Sequence, residues 1–279
     1  MTGTTEDINP YTRDIDNWNF YDIAHFIHLA DIESYEAVGR EIEHIAKAAE
    51  MAYKAVNNGG RVIYVGAGTS GRIAAQDVVE LKPTYGLGSE TFDYLMAGGN
   101  GALIQSIEGS EDSEKDAEDA LITMKVNSND LIVGITASGS TPFVIASLRY
   151  ARNLGCTTVG ITCNLNKPIR EISDLCIELI TGPEVIQGST RMKAGTAQKM
   201  ALNIISTTVA IRLGRTYKNT MSNMGSWYNQ KLKVRAASIL MQQFGLSKED
   251  ADLTLQSADY DISKAIELVK SRKKRSGTV

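Results

Sequence analysis

The stretch RVIYVGAGTSGR, residues 61 to 72, sets a short β-branched apolar run directly before a glycine-rich turn. Near-continuous hydrophobicity in such a run, without alternation, marks a strand buried on both faces. The turn that follows excludes two nucleotide readings. It lacks the Gly-Lys-Ser/Thr that closes a P-loop. Gly66, Gly68 and Gly71 match the dinucleotide pattern GxGxxG by letter, but that fingerprint also requires an acid at a strand end about 20 residues further on. Thr69 and Ser70 instead add hydroxyl donors to the backbone N–H groups of a helix start, a chemistry suited to one phosphate or to a sugar. Alone, the turn reads equally well as a plain strand-to-helix cap.

Four further runs have the same character: TFDYLMAG, DLIVGITAS, TTVGITCN and LCIELITG. Stretches of helical period separate them, the alternation expected of an α/β fold with a parallel sheet and helices on both faces. The turn also recurs. DLIVGIT runs into Ser138, Gly139, Ser140 and Thr141, with Pro142 suited to a first helical turn. LCIELI runs into GPEVIQGSTRMKAGTAQK, which supplies Glu184, Ser189, Thr190, Arg191 and Lys193 before a helix with Met200, Ile204, Ile205 and Val209 at helical spacing. Turns that follow parallel strands gather along one sheet edge, where such folds bind ligands. Without that convergence, Arg191 and Lys193 are also readable as surface charges beside a helix start.

Hydrophobic residues make up 43% and charged residues 22% of the 279, with a net charge of -4, so nothing attracts nucleic acid or an anionic membrane. Small molecules and other subunits are the expected partners. No apolar stretch reaches the ~18 residues of a membrane span, and MTGTTEDINP is polar and acidic where a signal peptide is basic then apolar, so a cytoplasmic location is expected. Cys156, Cys163 and Cys176 fit neither a zinc site nor a redox pair and read as reduced core residues. His25 and His28 lie one turn apart without a third ligand nearby, so no metal site is expected. Met192, Met200 and Met241 read as packing residues.

Residues 1–59 read as helical, with periodic segments over Phe20 to Ala30 and Ser34 to Asn57 and the Asn57–Gly60 stretch as the closing cap. After the α/β region, residues 226–279 read as three short helices, broken near Gly245, with Ser247 as an N-cap, and again at Asp259 to Asp261. The tail from Lys270 onward reads as a frayed, solvated basic end.

GAGTSGR, TASGSTP and above all GPEVIQGSTRMKAGTAQKMALN resemble the sugar isomerase (SIS) domain in the form found in N-acetylmuramic acid 6-phosphate etherases. The similarity runs from TEDIN, at residue 5, to the C-terminal helices; GAGTSGR by itself is shared with the related glucokinase regulatory proteins. The resemblance implies a three-layer α/β sandwich with a five-stranded parallel sheet over residues 60–225. Residues 1–59 would pack on it, and residues 226–279 would form a small helical, UBA-like domain. It also implies a homodimer acting on a phosphosugar in cell-wall amino sugar recycling, without metal or redox cofactor. Two rivals share the loops or the fold: a non-catalytic sugar-phosphate regulator and an aldose–ketose isomerase.

An enzyme of that family removes D-lactate from C3 of the sugar. With the ring open, the C1 aldehyde acidifies the C2 proton; one base at C2 and one acid at the departing ether oxygen suffice, and water then adds to the double bond. The resemblance assigns these roles to Glu80, before PTYG, and Glu111, the second acid of EGSED, with Glu108 as the lesser candidate. Glu80 shares a helix face with Gln76 and Arg72, and Pro83 is expected to end that helix, placing Glu80 at its negative end as a general acid. Ser110 is expected to cap the next helix, with Glu111 opening it as an ionised base. By spacing alone, both are also readable as solvated helix residues.

The expected substrate contacts are Ser138, Gly139, Ser140 and Thr141 at the phosphate, and Gly68, Thr69, Ser70 and Glu184 toward the sugar, with Ser189, Arg191 and Lys193 on the third turn. Two departures from the family pattern stand out. Leu81-Lys82 follows Glu80 where most etherases have Cys-Pro, and Ser140 stands where Arg is common. Arg191 or Lys193 is then expected to supply the missing cation.

Overall fold

The computed structural model describes residues 4–221 and 230–275. The chain divides into two compact units, Met1–Val78 with Ser89–Val209, and Val79–Gly88 with Ala210–Val279. The boundary expected between residues 225 and 226 lies outside the described residues.

The first unit holds a five-stranded sheet of β1 (Val62–Gly66), β2 (Phe92–Met96), β3 (Leu131–Thr136), β4 (Thr157–Thr162) and β5 (Leu175–Glu178). All neighbours are parallel, in the order β2-β1-β3-β4-β5. Every residue of β1 and β3 is buried, as their unbroken apolar runs require of central strands. The chain begins in the middle of the sheet, adds β2 on one side and crosses back to add β3 on the other. The connections leaving the carboxyl ends of β1 and β3 therefore diverge and leave a crevice between them.

Helices cover both faces. Ile63, Val65 and Ile132 pack with Phe143, Val144 and Leu148 of α6 (Pro142–Asn153). The alternate residues Val62, Tyr64, Leu131 and Val133 point to the opposite face, where α3 (Ile42–Asn57) runs over β1, β3 and β5. That helix buries Ile45, Ala48, Ala49 and Ala52, one stripe at helical spacing. The rest of the first unit comprises α1 (Phe20–Ala30), α2 (Ile32–Arg40), α5 (Glu114–Thr123), the short α7 (Pro168–Ile172), and most of α4 (Gly68–Tyr85) and α8 (Lys193–Arg212).

Local expectations needed correction at several points. The periodic segment Ser34 to Asn57 is two helices, α2 and α3, separated at Glu41. Pro83 does not end α4: it is carried inside the last turn, and the helix stops at Tyr85 before Gly86, whose φ of 68° is left-handed. Ser110 does not cap a helix. Its hydroxyl donates to Ile107 O at 2.8 Å within a 3-10 turn, Ser110–Asp112, and α5 begins only at Glu114 with Ser113 as N-cap.

The second unit contains a hairpin, β6 (Thr216–Tyr217) with β7 (Thr220–Met221), and the helices α9 (Gln230–Phe244), α10 (Lys248–Ser257) and α11 (Ile262–Arg275). Ala236, Leu240, Leu255, Ile262 and Ala265 form its core. Ser247 caps α10 by accepting from Asp250 N at 3.0 Å. Left-handed Asp259 and Tyr260 make the break before α11. The basic run is not frayed as far as Arg275, since α11 continues through it; residues 276–279 lie outside the described residues. No helix among the described residues is long and apolar enough to cross a membrane.

Candidate functional site

The crevice predicted by the strand order is a cavity of about 390 Å³. Its walls are Ala67 to Ser70, leaving β1, and Ile135 to Ser138 with Ser140 to Pro142, leaving β3. Both segments run straight into helix starts, so backbone N–H groups and the positive helix ends of α4 and α6 converge on one space. The glycines make this geometry possible. A Cβ on Gly71 would lie 2.7 Å from Gly66 O, and one on Gly66 would lie 2.7 Å from Gly71 N, because the first helical turn folds back onto the strand end. Gly139 has φ of 74°, and a Cβ there would meet Lys167 Cβ at 2.5 Å.

Hydroxyls are grouped at the end of β3. Thr136 Oγ1 shares hydrogen bonds with Thr141 Oγ1 at 2.7 Å and Ser138 Oγ at 3.1 Å, and it accepts from Gly139 N at 3.3 Å. Ser140 donates both its N–H and its hydroxyl to Ser138 Oγ, at 3.3 and 3.4 Å. Across the crevice, Ser70 donates to Gln198 Oε1 at 2.9 Å, which fixes its rotamer. A cluster of this kind can receive a phosphate through neutral donors.

A further wall comes from the start of the chain. Thr5 N donates to Asn164 Oδ1 at 3.2 Å, Asn164 Nδ2 donates to Thr5 Oγ1 at 2.9 Å, and Gly188 N donates to Thr5 O at 3.3 Å. Gln187 Nε2 donates to Glu6 O at 2.8 Å. Thr5, Glu6 and Thr190 thereby line the cavity, together with Glu111 and Asp112.

Of the residues singled out from sequence, Gly68, Thr69, Ser70, Ser138, Ser140, Thr141 and Glu111 lie in the cavity wall. Gly139 shapes the turn without lining the space. Glu184, expected toward the sugar, is not in the wall: fully buried, it accepts from Lys193 N at 3.0 Å and Ala194 N at 2.9 Å and so caps α8. Burial pushes its carboxyl above the usual range, against the pull of those two N–H groups. Lys193 is also buried, with its ammonium given to Glu33 and to Thr181 O, so it is not the missing cation. Arg191 is exposed, with Met192 Sδ 3.3 Å from its guanidinium, and neither it nor Ser189 is in the wall. Glu80 lies on the stretch of α4 grouped with the second unit, is exposed, and is not in the wall either.

Sequence reasoning missed Thr5, Glu6, Asp112 and Thr136. The available signals were the TEDIN stretch and a threonine closing an otherwise apolar strand. The three cysteines are free; burial raises Cys156 to about 11 and Cys163 and Cys176 to about 12. His25 and His28 are exposed, and no group of three or more potential metal ligands occurs among the described residues.

The glucokinase regulatory protein N-terminal SIS domain family matches residues 44–152, and the SIS domain family matches residues 108–207. Solved structures share the fold at low identity. Phosphoheptose isomerase from Francisella tularensis is 17% identical with a TM-score of 0.51, covering 69% of this chain and 98% of that one. Phosphoheptose isomerase from Neisseria gonorrhoeae is 15% identical with a TM-score of 0.51, covering 70% and 98%. A parallel sheet with a hydroxyl-lined crevice at its switch point thus defines an SIS-domain protein. Curated relatives narrow the class. The N-acetylmuramic acid 6-phosphate etherase of Enterobacter sp. (strain 638) is 42% identical over 96% of this chain and 90% of its own length, and that of Salmonella agona (strain SL483) is 41% identical over 95% and 89%. The chain belongs to the N-acetylmuramic acid 6-phosphate etherase family.

Proposed function

We propose that this protein cleaves the D-lactyl ether of N-acetylmuramic acid 6-phosphate, giving N-acetylglucosamine 6-phosphate and D-lactate. The observation that carries the reading is the family relationship over nearly the whole chain, combined with a cavity whose walls are hydroxyls, helix N-termini and carboxylates. The phosphate is assigned to Ser138, Ser140 and Thr141 at the start of α6, where N–H groups and the helix dipole favour an anion. The open-chain aldehyde makes the C2 proton acidic. A carboxylate removes it, the electron pair forms the C2–C3 double bond, and the C3–O bond breaks as the lactyl oxygen takes a proton. Water then adds at C3, and a proton returns to C2.

Glu111, in the cavity wall, is assigned one proton transfer, and Glu80 the other on the strength of the family pattern. Helix-end position does not divide the two roles between them: Glu80 precedes the final turn of α4, and Glu111 precedes α5. A homodimer in the cytoplasm completes the reading, with the helices after residue 226 as a small accessory domain.

The test is D-lactate release from N-acetylmuramic acid 6-phosphate, with C2 proton exchange followed in deuterated water. Glu111→Gln should abolish release. Exchange that continues in that variant would remove Glu111 as the base, and tight binding without release by the wild type would make the protein a sensor.

A further inference from the structure

The main cavity has an electrostatic gap. Among the described residues its wall contains Glu6, Glu111 and Asp112 and no lysine or arginine. Neutral donors and two helix ends can hold a phosphate, but the lactyl group brings a second anion, and a carboxylate beside three others requires a cation. The expected suppliers, Arg191 and Lys193, do not reach the wall.

A smaller chamber of about 100 Å³ adjoins the main cavity, sharing Gly68 and Glu111 with it, and Arg72 lines it. Arg72 stands one helical turn after Gly68 on α4, and a helical side chain leans back toward the N-terminus of its helix, here toward the shared glycine. Arg72 is half-buried, and its guanidinium makes no hydrogen bond or ion pair among the described residues. Of the described residues lining the two chambers it is the one cation. Ser106, Glu108 and Ser110 add polar atoms to its lining, with the Glu108 carboxylate accepting from Ser106 Oγ at 3.3 Å, while Met96, Ala97 and Ala102 add apolar surface.

We propose that this chamber is the subsite for the lactyl group, with Arg72 binding its carboxylate, a deepening that rests on the etherase reading. Glu111 lines both spaces, so a substrate with its phosphate in the hydroxyl cradle and its reacting carbons at Glu111 has the smaller chamber beside those carbons for its C3 substituent. That substituent, a methine carrying a methyl and a carboxylate, fits a small chamber with apolar lining for the methyl and one arginine for the carboxylate, the arginine also offsetting the Glu108 and Glu111 carboxylates there. Guanidinium is the side chain best shaped for a carboxylate, through paired N–H donors.

The experiment compares two sugar phosphates that differ in the lactyl group alone. Arg72→Gln should raise the KM for N-acetylmuramic acid 6-phosphate on the order of 10- to 100-fold, the loss of a charge-assisted pair. The inhibition constant of N-acetylglucosamine 6-phosphate should change less than about twofold on the same scale. Arg72→Lys should recover part of the loss, which guards against a folding defect, and both variants should melt with the wild type. Equal weakening of the two ligands would mean that Arg72 holds the phosphate and would overturn the assignment, as would no change in either. If the wild type releases no lactate, the etherase reading fails by itself, and direct titration of the same two ligands then decides Arg72 by the same ratio.

Discussion

Removing the carboxylate of Glu184 separates a structural role from a sugar contact. In the structure both of its oxygens are occupied, by the N–H groups of Lys193 and Ala194 at 3.0 and 2.9 Å, in a fully buried position at the start of α8. Hydrogen bonds to a charged group contribute about 1.5–3 kcal/mol each, and helix N–H groups left buried without a partner add to the loss. Relief of the burial that raises the Glu184 carboxyl offsets part of this. Glu184→Ala should therefore destabilise by about 3–5 kcal/mol, and Glu184→Gln, which keeps one acceptor, by about half of that. At about 2–4 °C per kcal/mol for a chain of this order, the alanine variant should melt roughly 10 °C lower. Thermal unfolding followed by circular dichroism gives the shift, and titration well below the transition gives the affinity of the folded protein for N-acetylglucosamine 6-phosphate. A variant that melts with the wild type but binds the sugar phosphate tenfold more weakly would refute the capping role.

Other substitutions test neighbouring parts of the argument. Gly71→Ala should cost about 2 kcal/mol or more, because its Cβ would meet the backbone at Gly66 O at 2.7 Å and Met96 Sδ at 2.9 Å. Gly68→Ala, with φ of 53° and open space around its Cβ, should cost only the left-handed penalty of about 1 kcal/mol; equal losses in denaturant titration would contradict the close-approach explanation. Lys193→Met should destabilise by about 2 kcal/mol, since it strands Thr181 O, while the substrate KM stays unchanged. A KM rise with full stability would return Lys193 to the site. Asp77 provides the pH test. Burial raises its carboxyl above 3.8, opposed by hydrogen bonds from Asn203 and Ser206, so the native state holds this proton more tightly than the unfolded chain. Its contribution is complete below about 3.8 and is lost as pH rises through the raised folded value. Asp77→Asn should flatten that fall in unfolding free energy, and an unchanged slope would assign it to another group.

The sequence by itself determined the strands and the ligand-binding edge. Unbroken β-branched runs such as LIVGIT have no stable place except between two helical layers, and glycine-hydroxyl turns after them can only collect where parallel strands end. It also determined the family, through the long GSTRMKAGTAQK stretch. Helix ends were less legible, because local signals compete: Pro83 is tolerated inside α4, and Ser113 rather than Ser110 finds the N–H group it can cap.

Only the tertiary structure decided which polar residues face the cavity. Glu184 and Lys193 stand in the same motif as Thr190, yet the first two turn inward to anchor α8 while the third reaches the cavity. Thr5 and Glu6 become part of the wall through Asn164 and Gly188, more than 150 residues away in sequence. Local sequence specifies what a side chain can bind, whereas its partner is fixed by chain crossings that bring distant residues together and leave some, like Arg72, beside an open chamber.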